Sequence, residues 1–315
     1  MPTRQGSFKI FHLAGIDVYV NWSWFLAFYI LPKLAPRAYS NFGWSALEVL
    51  GLFLIVLTHE FGHAFACRSV GGQANLIVLW PLGGVAYVAP PQRPGAQLWS
   101  ITAGPLVNVI LFPIFTGLVL LAGHFGWNAS LPDLFKFLNS LWAINLVLLV
   151  FNLLPIFPLD GGQILRSLLW FVLGRANSLF AATIIGFIGV AALIASAGLL
   201  FIFSPSSAQG IWLGIMAVFI LLNCWGGLMQ ARALARVARM PRRDGFACPE
   251  CKSAPPLGPV WRCGKCGGPF DTFATLGVCP HCGTQFDVTQ CFDCGSLHPI
   301  DQWATSPLPP PIINV

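Results

Sequence analysis

An apolar stretch at residues 46–66 constrains this chain more than any other part of its sequence, because about 20 apolar residues are enough for a helix to cross a bilayer. Three ionisable residues, His59, Glu60 and His63, lie near the end of the stretch. On a helix, His59 and His63 share one face, so both imidazoles can hold one metal ion. Glu60 is rotated by about 100°, which places it beside an open metal position, where a general base is needed.

Chance occurrence of these three residues is the alternative to a metal site. Within a spanning helix, each charged group costs roughly 2.5–3.5 kcal/mol on insertion scales. Such groups are therefore rare in spans unless they are paired, face a cavity or bind something. This cost favours the metal site over the accidental pattern.

The composition indicates a polytopic membrane protein. Hydrophobic residues make up 56% of the 315 residues, only 9% are charged, and the mean hydropathy is +0.72. No soluble globular domain has such a composition. The net charge of +6 lies mostly in loops beside apolar segments, where it sets topology, and does not favour nucleic acid binding. We expect no cleavable signal peptide at the N-terminus.

The apolar segments predict an α-helical membrane protein with about six transmembrane helices. Six spans place both termini on one side, and the distribution of Lys and Arg indicates that this side is the cytoplasm. We therefore expect an integral protein of the cell membrane with both termini in the cytoplasm. The predicted spans lie at about residues 18–34, 46–66, 98–121, 137–157, 179–203 and 210–229.

Residues 73–91 differ from the spans, because β-branched and aromatic residues are frequent and two glycines divide two short runs. This pattern predicts a small membrane-associated β-hairpin. Extended backbone at membrane depth is tolerated only against protein or a cavity, so we expect the hairpin to lie against the metal site. A packed loop with no role in substrate binding is the alternative. Asn108, in the third span, is expected to hydrogen-bond a neighbouring helix.

A catalytic zinc commonly takes three protein ligands and a water, so two histidines leave one position open. Asp17 lies at the wrong end of its segment, and Glu48 is roughly 16 Å from His59 along the helix axis. Asp160 remains, with two prolines before it that prevent a regular helix and two glycines after it that allow a sharp turn. A role of Asp160 as the N-cap of residues 163–173 is an alternative that does not exclude ligation.

Four motifs together resemble the site-2 protease family of intramembrane zinc metalloproteases. The resemblance covers most of the membrane part, and the order of the first and last motifs on separate spans is highly specific. The motifs are T-H-E-F-G-H at 58–63, P-L-G-G at 81–84, A-G-P-L-V-N at 103–108 and N-L-L-P-I-F-P-L-D-G-G at 152–162.

This resemblance implies both the activity and the roles of the site residues. His59, His63 and Asp160 would bind a catalytic zinc, and Glu60 would be the base. Asn152 would help to hold the substrate or the oxyanion. The implied reaction is hydrolysis of peptide bonds within or near transmembrane segments of membrane-protein substrates, as in regulated intramembrane proteolysis.

Eight cysteines after residue 247 form four C-x-x-C pairs, a spacing typical of metal binding in a reducing compartment and not of disulfides. We predict a small C-terminal zinc-ribbon domain with two structural zinc ions, in addition to the catalytic zinc. Crossed pairing between the ribbons is the alternative to pairing in sequence order. In sequence order, the first set is Cys248, Cys251, Cys263 and Cys266, and the second is Cys279, Cys282, Cys291 and Cys294.

The predicted organisation is therefore a transmembrane metalloprotease domain at residues 1–243, a cytoplasmic double zinc-ribbon domain at residues 244–303 and a proline-rich tail at residues 304–315. The ribbons are either an inert appendage or a docking module for substrate or a regulator, and they carry too little positive charge to favour nucleic acid.

Two other functions compete with the protease. A non-catalytic membrane scaffold could retain the metal site and act through its ribbons, but it would not need Glu60. A metal transporter would need polar positions along a path on both sides of the site, and the last two predicted spans offer essentially none.

Overall fold

Helices make up most of the chain in the computed structural model, which describes residues 6–25, 39–80, 83–203 and 208–305. Within those residues, five helices are long and apolar enough to cross a membrane. Two of them begin with a proline, Pro94 and Pro132, whose missing N–H is not needed in the first helical turn. The helices are α1 (Phe42–Ser69), α2 (Pro94–His124), the short α3 (Trp127–Ser130), α4 (Pro132–Leu153), α5 (Asp160–Phe203) and α6 (Ala208–Ala238).

The first predicted span, at about residues 18–34, is wrong at its beginning. Residues 18–21 belong to a β-strand, Ile16–Asn21, in which Val18 and Val20 are buried and alternate with half-buried side chains. This alternation is the period of a strand with one face on the core. Residues 26–34 of the predicted span lie outside the described residues. Four of the other predicted spans fall within α1, α2, α5 and α6, and the span predicted at 137–157 lies in α4 up to Leu153, where that helix ends.

A four-stranded sheet lies beside the helices, with the strands in the order β1-β2-β3-β4. The hairpin predicted at 73–91 is confirmed as the antiparallel pair β3 and β4, and β2 joins β3 in parallel. The sequence analysis missed the two N-terminal strands, so the sheet is twice as large as predicted. β4 is the last strand in this order and forms an edge of the sheet. The strands are β1 (Ser7–Leu13), β2 (Ile16–Asn21), β3 (Gln73–Trp80) and β4 (Gly83–Ala89).

The sheet is fixed to α1 by one hydrophobic core. Val18 of β2 and Ile77 of β3 are fully buried in the same cluster as Phe61 and Ala64 of α1. At the end of α1, the Arg68 guanidinium donates hydrogen bonds to the backbone carbonyls of the β1–β2 turn. The sheet therefore holds a fixed position relative to the helix that carries the two histidines.

The helix is interrupted before Asp160, as predicted. α4 ends at Leu153, α5 begins at Asp160, and both prolines of the intervening segment lie outside regular helix. α5 is itself broken at Gly174, which has φ 76° and ψ 172°. A positive φ of this kind suits glycine, because it has no Cβ. Asp160 therefore starts a separate helical segment that ends at this break.

The cysteine region contains two small hairpins, and its cysteines form two groups of four. The predicted pairing in sequence order is wrong, because the groups are nested. We call Cys263, Cys266, Cys279 and Cys282 the inner cluster. We call Cys248, Cys251, Cys291 and Cys294 the outer cluster. The hairpins are β5 (Trp261–Arg262) with β6 (Pro269–Phe270), and β7 (Val288–Gln290) with β8 (Leu297–Pro299).

The nested grouping has a physical cause in the packing of the two ends of this region. Trp303, which is almost fully buried, packs in one hydrophobic cluster with Cys248, Phe273 and Cys291. The amide of Ala247 also donates a hydrogen bond of 2.7 Å to the carbonyl of Trp303. These contacts bring the first and last C-x-x-C pairs together, although they are far apart in sequence.

Candidate active site

The side chains of His59, His63 and Asp160 converge between α1 and the start of α5. The Nε2 atoms of the two histidines are 3.1 Å apart, and they lie 3.1 Å and 3.3 Å from Asp160 Oδ2. The ligand atoms of the three residues all lie within 4.8 Å of one another. Two imidazoles and a carboxylate are a donor set that zinc takes in catalytic sites, so these residues fit the metal.

Hydrogen bonds on the opposite ring nitrogens orient both histidines. His59 Nδ1 donates to Asn108 Oδ1 at 2.6 Å, and His63 Nδ1 donates to the carbonyl oxygen of Ser100 at 2.9 Å. A proton on Nδ1 leaves the Nε2 lone pair available for a metal. Both acceptors are on α2, which therefore sets the orientation of the two imidazoles on α1.

Asn108 is itself held by Asn145 on α4. Asn108 Nδ2 donates to Asn145 Oδ1 at 2.8 Å, and Asn145 Nδ2 donates to the Asn108 carbonyl at 3.0 Å. Both asparagines are fully buried. The prediction that Asn108 hydrogen-bonds a neighbouring helix is confirmed. Sequence reasoning missed Asn145, although an asparagine inside an apolar span was a sufficient signal.

Glu60 lies beside the cluster and contacts the sheet. Its Oε2 accepts a hydrogen bond of 2.8 Å from the backbone N–H of Ala86 in β4. A Cβ built on Gly84 would lie 2.3 Å from Glu60 Cγ, so the last glycine of the P-L-G-G motif leaves the space that Glu60 occupies. The expectation that the hairpin lies against the site is confirmed by this contact. Glu60 is buried but is not one of the three clustered residues.

Two other glycines make room for the cluster itself. A Cβ on Gly104 would lie 2.2 Å from His63 Nε2 and 2.8 Å from His59 Nε2. A Cβ on Gly161 would lie 2.4 Å from the carbonyl oxygens of Leu153 and Leu154. The first glycine allows α2 to approach the imidazoles closely. The second allows the end of α4 to fold against the first turn of α5, from which the Asp160 carboxylate reaches the histidines.

Asn152 is half-buried on the last turn of α4. In the described part of the chain it forms no hydrogen bond with the clustered residues, so its role in holding the substrate stays a prediction.

The predicted cysteine ligands form two groups that could each hold a metal ion, although their grouping differs from the predicted one.

Comparison with known proteins bears on the residues that form this site. Residues 47–130 and 125–196 match peptidase family M50, and these ranges contain His59, Glu60, His63 and Asp160. A Synechocystis sp. protein provisionally named a zinc metalloprotease is 30% identical over 254 residues, which cover 76% of this chain and 64% of that protein. A zinc metalloprotease of Methanocaldococcus jannaschii is 34% identical over 180 residues, which cover 57% of this chain and 50% of that protein.

A solved structure is also similar to this chain. The site-2 protease from Methanocaldococcus jannaschii is 26% identical, covers 70% of this chain and 95% of its own, and has a TM-score of 0.47.

Two clustered histidines, an aspartate and an adjacent glutamate thus lie among apolar helices, and the two sequence relatives described above are named zinc metalloproteases. The chain resembles peptidase family M50, the site-2 protease family, over residues 47–196. It is an integral membrane protein. The match spans between half and two thirds of the length of the two curated relatives.

Proposed function

We propose that this chain is an intramembrane zinc metalloprotease, which hydrolyses peptide bonds within or near the transmembrane segments of membrane-protein substrates. One observation carries the proposal. Two histidine Nε2 atoms and the Asp160 carboxylate meet in one cluster, and the Glu60 carboxylate lies beside this cluster without joining it. A metal scaffold has no need of such a glutamate, whereas a metalloprotease requires one as its base.

His59, His63 and Asp160 would hold the catalytic zinc. Zinc, when bound, supplies a Lewis acid that polarises the peptide carbonyl and lowers the pKa of a bound water towards about 7. Glu60 accepts the proton of the attacking water and passes it to the leaving amine. The Ala86 N–H fixes one oxygen of the Glu60 carboxylate, which keeps the base in one orientation during both proton transfers.

The Asn152 side-chain amide donates a hydrogen bond to the oxyanion in this proposal. One such donor contributes on the order of 3 kcal/mol to the transition state. Its position on the last turn of α4, eight residues before Asp160, supports this role, because the broken segment folds back towards the cluster.

The edge of β4 would receive the substrate. The Ala86 N–H points to Glu60, so the edge of β4 that faces away from β3 lies beside the base. An unwound substrate segment can pair with such an edge as an added strand. A helical peptide carbonyl is already hydrogen-bonded, and unwinding exposes it to attack.

We also infer the finer points of the organisation. Six spans place both termini in the cytoplasm of a cell with the protein in its plasma membrane, and each cysteine cluster holds a structural zinc. Arginines are concentrated at one end of the helical bundle, and this concentration supports the topology. They include the arginines at positions 68, 93, 166 and 175. Docking of substrate or a regulator on the ribbons stays a prediction.

Co-expression with candidate single-span substrates tests the proposed activity. Glu60→Gln should retain zinc, because Glu60 is outside the ligand cluster, and should abolish cleavage. Glu48→Gln, on the same helix but roughly 16 Å away from His59, is the matched control and should cleave normally. Undiminished cleavage by purified Glu60→Gln protein would falsify the catalytic role of Glu60, and no cleavage by the unchanged protein would favour the non-catalytic scaffold.

A further inference from the structure

The outer cluster is held by arginines from the membrane part of the chain. Arg175 Nη1 donates a hydrogen bond of 2.8 Å to the carbonyl of Phe292, inside the C-x-x-C segment of Cys291 and Cys294. Arg93 pairs with Glu250 at 2.6 Å, inside the other C-x-x-C segment of the same cluster. Both metal-binding segments of the outer cluster therefore contact the membrane part directly.

A third arginine completes the contact. Both terminal nitrogens of Arg242, which follows α6, pair with the Asp293 carboxylate, at 2.8 Å and 3.3 Å. The three arginines come from three separate places: the β4–α2 connection, the break in α5 and the end of α6. A Cβ on Gly295 would lie 2.3 Å from Gln92 Cγ, so the backbone of the outer cluster is packed tightly on the β4–α2 connection.

The C-x-x-C segments of the inner cluster make no comparable contact in the described part of the chain, although Arg243 pairs at 2.6 Å with Asp271, which lies between these two segments. The hydrogen bonds of its two C-x-x-C segments stay within residues 263–286. The two clusters therefore have the same ligand chemistry but different surroundings. This difference makes each a control for the other.

The geometry of the outer cluster depends on its metal. Metal binding would fix the two short C-x-x-C segments. These segments present the Phe292 carbonyl and the carboxylates of Glu250 and Asp293 to the three arginines. Without a metal, no ligand bonds hold these acceptors in the positions that the arginines contact.

We propose that zinc binding by the outer cluster docks the ribbons on the membrane part of the same chain, at the surface formed by Arg93, Arg175 and Arg242. The inner cluster folds its own ribbon and takes no part in docking. The docked ribbon holds the β4–α2 connection, which directly follows the edge strand beside Glu60. The cysteine region thus restrains the β4–α2 connection, which follows the strand that would bind the substrate.

Not all three arginine contacts should matter equally. The Arg93–Glu250 pair is exposed, with 67% and 39% of the two side chains accessible, and exposed pairs contribute little. Arg242 makes a two-point contact and is only about one-third exposed. Arg175 donates from a half-buried position to a backbone carbonyl. Arg175 and Arg242 are therefore the residues on which the test relies.

Hydrogen–deuterium exchange of the full-length protein in lipid nanodiscs, together with the zinc content per chain, tests the zinc dependence. The reporters are residues 92–97 and 173–178, which lie outside the ribbons. Cys291→Ser with Cys294→Ser should lose one zinc and exchange roughly tenfold faster at both reporters. Cys279→Ser with Cys282→Ser, in the inner cluster, should lose one zinc and leave both reporters unchanged. Equal effects of the two pairs would overturn the assignment to the outer cluster.

A second pair of variants tests docking without removing a cysteine. Arg175→Gln with Arg242→Gln should retain all zinc and still exchange roughly tenfold faster at both reporters. Arg166→Gln, on the same helix as Arg175 but without a contact to the ribbons among the described residues, should behave like the unchanged protein. If the Arg175→Gln, Arg242→Gln protein retains its zinc and its reporters exchange at the original rate, the docking surface is wrong. This result is separate from any loss of proteolysis.

Discussion

Asn108 connects the metal-binding face of α1 to α4 through two hydrogen-bonded side chains. Its Oδ1 accepts from His59, and its amide donates to Asn145. Because all three groups are buried, no water competes for these hydrogen bonds. Asn108 is a positioning residue: it sets the protonated nitrogen of His59 without reaching the clustered atoms.

Replacement of Asn108 should therefore weaken metal binding. Asn108→Leu removes the acceptor of His59 Nδ1 and should lower zinc affinity by about 10- to 100-fold, as measured by competition with a chelator. Asn108→Asp retains an acceptor oxygen, and the Asn145 amide can turn over to donate to it, so zinc affinity should be partly restored. Equal affinity of the Leu variant and the unchanged protein would contradict the positioning role.

Gly84 should matter for catalysis and not for metal binding. Gly84→Ala places a Cβ where Glu60 Cγ now lies and should displace the base by about 1 Å, which lowers the cleavage rate by about 10²-fold. Zinc content should not change, because the clustered residues do not touch this position. Gly117→Ala, in α2, is the control, since a Cβ there meets nothing within 4 Å. Loss of zinc from the Gly84→Ala protein would show that the sheet supports the cluster directly.

Single residues explain which parts of the site were predictable. His59, His63 and Asp160 stand out because a charged or metal-binding group is costly in an apolar span. Asn145 gives the same kind of signal more weakly, since a neutral amide in an apolar span is less costly than a charged group. The close approach of Gly84 to Glu60 depends on the position of β4 against α1, which no local pattern contains.

At the scale of elements, the interruption between α4 and α5 determines where Asp160 lies. Gly161 packs against the carbonyls of Leu153 and Leu154, so the end of one helix lies on the start of the next. The prolines and glycines of this segment predicted the interruption. The N-terminal strands were not predicted, because β2 is only six residues long and its alternation of valines was read as the start of an apolar span.

Gly161→Ala should move the start of α5 away from the end of α4. The added Cβ would overlap the Leu153 and Leu154 carbonyls, so the first turn of α5 must move and carry Asp160 away from the histidines. Zinc affinity should fall by at least about tenfold, the size of effect seen when an outer-shell partner is lost. Gly198→Ala, later in α5, has free space and should bind zinc normally. Unchanged affinity of the Gly161→Ala protein would show that the segment can adjust without moving Asp160.

At the scale of the whole molecule, charge should determine the orientation in the membrane. Arg68, Arg93 and Arg175 lie at one end of the described bundle, together with the arginines that follow α6, whereas Lys136 lies at the other end. Alkaline phosphatase fused after Asn128 should be active, because that end faces away from the cytoplasm, and a fusion after Thr305 should be inactive. The reverse pattern of activity would overturn the proposed topology.

The nested cysteines impose an order on the maturation of this chain. Cys263 to Cys282 are complete before Cys291 is synthesised, so the inner cluster can fill first. The outer cluster joins the earliest and the latest C-x-x-C pairs and cannot close until the ribosome has passed Cys294. A polypeptide that stops short can therefore carry a finished membrane bundle and a finished inner cluster, yet its cysteine region would stay detached under the proposed docking. Attachment of the cysteine region to the membrane part therefore requires that translation has passed Cys294.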